Sequence, residues 1–164
     1  MHLPFNQQQP GRVVECDNQY PCLIYDDAAL KKAIQQLDDL NKYPTPPGEL
    51  SIVFVDDATI ARIHGEFLKD PTPTDVITFQ GDVDFEFAGE IMVSVDHADD
   101  NALQYGTLFE EELMLYIIHG YLHLSGLDDT DAVSAQVMRK AEQDCLNVLK
   151  MNGSMPLFKI GPKL

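Results

Sequence analysis

The chain has 164 residues, 45% of them hydrophobic, which suits one domain with a proper core. Its formal net charge of −16 argues against a protein that binds polyanions through its own cations, and no apolar run approaches the ~20 residues that span a bilayer. Cys16, Cys22 and Cys145 are odd in number and lack CxxC spacing, which argues against a disulfide framework or a cysteine zinc knot; with the polar start Gln7, Gln8, Gln9 and Pro10, the expectation is a cytoplasmic protein with reduced cysteines.

Val13, Val14 and Cys16 predict a short first strand. Ala29, Leu30, Ala33, Ile34, Leu37 and Leu40 recur at helical spacing between Asp26 and Tyr43, and Pro44, Pro46, Pro47 and Gly48 end that helix. Ser51 to Val55 reads as a strand, Asp56 as the cap of a helix running to about Phe67, and Asp70-Pro71-Thr72-Pro73 as a rigid loop. Two strands, Val76 to Phe79 and Phe85 to Val95, follow with a hairpin-like connection around Gly81. Asp96 opens a short helix that Gly106 breaks.

Thr107 and Glu110 have capping-box spacing for the next helix, whose Leu113, Met114, Leu115, Tyr116, Ile117 and Ile118 are apolar on nearly every side. Such a helix belongs in a core. From Asp131, the stripe Val133, Val137, Ala141, Cys145 and Val148 predicts a last helix, and residues 152–164 read as a flexible tail. No repeat or domain boundary interrupts the chain. The sum is one α+β domain: a small mixed sheet of about four strands packed with about five helices.

The core helix ends in His119-Gly120-Tyr121-Leu122-His123-Leu124-Ser125-Gly126-Leu127-Asp128-Asp129, an HxxxHxxGxxD pattern. Imidazoles four residues apart share a helix face and can converge on one ion. Gly126 permits a tight turn that returns Asp129 as a third ligand. A lone histidine in an apolar helix is usually a hydrogen-bonded core residue, but the pair, the glycine and the carboxylate together read as a metal site. Asp128 is one residue early for the third ligand, and Asp131 fits a helix N-terminus.

Two neutral histidines and a carboxylate leave a divalent ion with net charge about +1 and an open position, which suits metal-assisted hydrolysis with one zinc ion per chain. Zinc peptidases share this frame, but their general base is a glutamate where this chain has Gly120. The general base and acid stay unassigned. Asp75 and Glu90 are the candidates, each equally readable as a turn or strand-end carboxylate. His97, Glu112 and His64 read as structural, Glu112 lying about 10 Å along the axis from His119.

His119 to Asp129 resembles the HGxLHLxGxDH signature of the YbeY-type endoribonucleases at ten of eleven positions, Asp129 standing where the family has its last histidine. Pro73-Thr74-Asp75-Val76-Ile77-Thr78-Phe79 is similar to that family's PTDVLSF segment, and Gly89-Glu90-Ile91-Met92-Val93-Ser94 to its GDIxIS strand. The resemblance implies a metzincin-like metal site on a core helix, with His119, His123 and Asp129 as zinc ligands. It further implies a cytoplasmic hydrolase of single-stranded RNA that acts in ribosome maturation, 16S rRNA 3′-end processing and ribosome quality control, with the small ribosomal subunit or a ribosomal protein as partner and neither DNA nor membrane involved. A zinc metallopeptidase and a catalytically weak ribosome-associated metal-binding protein are the alternatives.

Two departures and the charge qualify the resemblance. The aspartate in place of histidine reduces the site's positive charge, and the family's arginine falls at Leu68, with Lys69 beside it only a point charge. No lysine or arginine occurs between Lys69 and Arg139, a span holding fifteen acidic residues. RNA binding must then draw on the metal, on Lys31, Lys32, Lys69, Lys159 and Lys163, or on a basic partner, and weak activity on naked RNA is expected.

Overall fold

The computed structural model describes residues 11–162, so Gln7 to Pro10 and Lys163 lie outside the described residues. In chain order the elements are β1 (Val13–Asn18), β2 (Leu23–Tyr25), α1 (Asp27–Leu40), β3 (Glu49–Val55), α2 (Asp57–Leu68), β4 (Val76–Asp82), a 3-10 turn at Val83–Phe85, β5 (Phe87–Ser94), α3 (Val95–Tyr105), α4 (Phe109–Leu124), α5 (Ala132–Met151) and β6 (Phe158–Ile160). Five helices and a four-stranded mixed sheet make an α+β domain. The sheet order is β1-β3-β5-β4, with β1, β3 and β5 parallel and β4 antiparallel at the edge.

Side-chain alternation divides the sheet into two apolar faces. Leu50, Ile52 and Phe54 of β3 and Ile91 and Val93 of β5 join α1, α4 and α5 in the main core. Val53, Val55, Ile77 and Met92 point the other way, onto Ile60 of α2. Helix α4 packs against β4, β5, α3 and α5, which explains why its sequence is apolar on so many sides.

Acidic caps set several helix starts. The Asp26 carboxylate accepts from the amides of Ala28 and Ala29, that of Asp56 from Thr59, and Asp131 forms a capping box with Ser134. Two starts differ from expectation. Ser94 rather than Asp96 caps α3, and the Asp96 carboxylate instead accepts from Tyr20 Oη and the Asp57 amide. Helix α4 begins one residue later than a Thr107 cap requires, so Thr107 donates to Glu112, while Glu110, Glu111 and Glu112 place negative charge at the helix N-terminus.

The expected flexible tail is a correction. Phe158–Ile160 pairs antiparallel with Leu23–Tyr25, and Phe158 is buried against Tyr25 and Phe54. Among the described residues, no helix is long and apolar enough to cross a membrane.

Candidate metal centre

The C-terminal end of α4 makes the site. Leu127 N–H donates to the Leu122 carbonyl at 3.1 Å and Gly126 N–H to the His123 carbonyl at 3.0 Å, a Schellman turn that needs the positive φ of +102° at Gly126. The turn brings the Leu127 carbonyl to 3.0 Å from Nδ1 of His123. A carbonyl only accepts, so this Nδ1 carries the hydrogen and Nε2 keeps its lone pair.

Nδ1 of His119 lies 2.7 Å from Oε1 of Glu142 on α5, which likewise fixes the hydrogen on Nδ1. The two Nε2 atoms face each other at 3.0 Å. Asp129 closes the group, Oδ2 at 3.4 Å from His119 Nε2 and Oδ1 at 3.7 Å from His123 Nε2. Two lone pairs facing each other beside a carboxylate make a group that could hold a cation. Bonds of about 2.1 Å to a tetrahedral ion place its ligand atoms roughly 3.4 Å apart, so the spacing fits a divalent metal. Asp128 turns away, accepting instead from the Thr130 amide.

Burial lowers the His119 pKa, but the hydrogen bond and charge of Glu142 and the charges of Asp129 and Asp75 outweigh it, leaving the ring above the ordinary value of 6.5. The site opens on a cleft of about 370 Å³ between the end of α2 and β4. Thr74, Asp75, Thr78 and Gln80 form its polar wall and Leu68 its apolar side.

Asp75 is held there: its carbonyl accepts from the Ser94 amide, and Oδ1 accepts from the Val76 amide at 2.8 Å. Glu90, the other candidate, does not line this cleft. It shares the sheet face of Met92, opposite Ile91 and α4, and accepts from Ser51 Oγ at 3.3 Å. His97 lies edge-on against Tyr116, and His64 Nδ1 bonds the Thr72 carbonyl. Glu112 is engaged with Thr107 at the far end of α4.

Gly120 faces the sheet. A Cβ there would come within 2.6 Å of Ile91 Cγ2, so the peptidase glutamate has no room at this position.

These features agree with a match of residues 17–150 to the family model described as Endoribonuclease YbeY. The chain belongs to the YbeY family of endoribonucleases. A relative named Endoribonuclease YbeY from Treponema denticola is 31% identical, the alignment covering 96% of each chain. Another, from Flavobacterium johnsoniae, is 39% identical over 59% of this chain and 70% of its own length. The solution structure of TM1509 from Thermotoga maritima shares the fold with a TM-score of 0.57 at 22% identity, covering 87% of this chain and 95% of that one.

Sequence reasoning missed Glu142 in this YbeY family member. It lies 23 positions after His119 on another helix, where it reads as one more solvated carboxylate; the only local signal is its place one residue after the core-facing Ala141.

Proposed function

We propose that the protein is a zinc-dependent endoribonuclease of single-stranded RNA, acting in the cytoplasm in ribosome maturation, 16S rRNA 3′-end processing and ribosome quality control. Family membership supports RNA strand cleavage. The observation that carries metal dependence is the pair of Nε2 lone pairs that converge with Asp129, each fixed by an acceptor on the ring's other nitrogen. Two imidazoles and a carboxylate in this spacing favour zinc with an open position. Zinc held there supplies Lewis-acid charge beside the scissile phosphodiester.

The chain's own residues do the rest. Glu142 and the Leu127 carbonyl hold the two rings in register. Asp75 is the one carboxylate among the cleft-lining residues outside the ligand group, placed to take a proton from an attacking water or from the 2′-hydroxyl. A 2′,3′-cyclic phosphate end would mark the 2′-hydroxyl as nucleophile.

The net charge of −16 favours a basic partner such as a ribosomal protein, since this surface repels free RNA. The peptidase alternative loses its usual base at Gly120. The test is turnover of a single-stranded RNA, an RNA duplex and a peptide by metal-stripped and zinc-restored protein. Single-strand cleavage that returns with zinc is expected; peptide turnover without RNA cleavage would overturn the reading.

A further inference from the structure

The mouth of the cleft lacks the groups that normally hold RNA phosphates. Its wall carries Asp75 and Asp129 and no lysine or arginine. On α2, Arg62 pairs with Glu66 at 3.3 Å, and Lys69 follows only at the C-cap. In place of a guanidinium the chain presents Leu68, 57% exposed and lining the cleft, and beside it Phe67, 64% exposed.

Phe67 is held in place. Its ring meets that of Phe79 at 5.5 Å between centroids and 76° between planes, an edge-to-face packing that fixes the ring while most of it stays in water. Phe79 belongs to β4, an edge strand of the sheet, and its side chain points to the face opposite that of Thr78 and Gln80, which line the cleft. A rigid exposed aromatic therefore stands across a strand edge from the ligand group. A neutral base face stacks on such a ring without a phosphate contact.

We propose that Phe67 is the stacking platform for an unpaired nucleobase of the RNA, with Leu68 extending its apolar surface toward the cleft. This rests on the endoribonuclease reading and goes beyond it: the strand is gripped by a base rather than by its phosphates. Duplexes are disfavoured because their bases are already stacked, and binding depends little on salt because few counterions are released.

The test uses zinc-loaded full-length protein and an unstructured oligoribonucleotide. Phe67→Ala is expected to raise KM roughly 5- to 100-fold, the range of one lost base-aromatic stack, while Phe67→Tyr keeps the parental KM. The chain contains no tryptophan, so Phe67→Trp installs a lone indole whose fluorescence should be quenched by the oligoribonucleotide and not by an abasic ribose-phosphate strand of equal length. Circular dichroism checks that each variant folds, as an exposed side chain allows.

Parental KM in Phe67→Ala, or equal quenching by the abasic strand, would overturn the platform and leave the endoribonuclease reading standing. Failure of the parent to cleave any RNA would overturn that reading instead, and the quench would still decide the platform.

Discussion

Glu142, at the middle of α5, accepts a hydrogen bond from Nδ1 of His119 at 2.7 Å and so couples the last helix to the ring whose Nε2 faces His123 and Asp129. Replacing an acceptor of this kind behind a ligating histidine typically costs 10–100-fold in metal affinity. Glu142→Gln should weaken zinc binding by about that factor while leaving the fold intact. Competition with a chromophoric chelator reads the loss; unchanged affinity would remove Glu142 from the site.

Protons and metal compete at His119. Its pKa in the folded chain lies above 6.5 because Glu142, Asp129 and Asp75 outweigh burial. In metal-free protein this raised value stabilises the fold fully below the unfolded pKa, and the gain is lost as pH rises through the folded one. Zinc needs the proton-free ring. The zinc-induced rise in Tm should therefore grow as pH climbs from about 6 to about 8, measured by calorimetry. An increment constant over that range would contradict this.

Gly120 of α4 packs directly against Ile91 of β5. Gly120→Ala pushes a methyl to within 2.6 Å of Ile91 Cγ2, inside the buried core, and should destabilise by about 1–3 kcal/mol in urea denaturation. A neutral result would show that the two elements separate easily.

Phe158 tests the last strand. Buried against Phe54 and Tyr25, it should cost about 3–5 kcal/mol when changed to alanine. A tail residue would cost almost nothing.

The contrast between Asp129 and Glu142 shows what was legible in the sequence. Asp129 is reached from His123 by a turn that one glycine encodes, so the three converging residues could be read from spacing alone. Glu142 depends on how α5 packs on α4, which periodicity does not specify. The same limit applies to β2 and β6, each of three residues and paired across more than a hundred positions. Strands that short carry too little alternation to read, whereas Asp26, Asp56 and Asp131 announce their helices locally. Glu90 lies in a strand that borders the site, but strand alternation turns it to the other face of the sheet from α4, as its strand-end reading allows.

The most direct measurement is cleavage of a single-stranded fragment carrying the 16S rRNA 3′ end by zinc-loaded protein, beside His123→Ala and Asp129→Ala prepared identically, with zinc content measured in each. The parent should bind one zinc per chain and cleave, and both variants should lose zinc and cleavage together. Parental cleavage by His123→Ala, or stoichiometric zinc in a parent that cleaves nothing even with small ribosomal subunits present, would contradict the account.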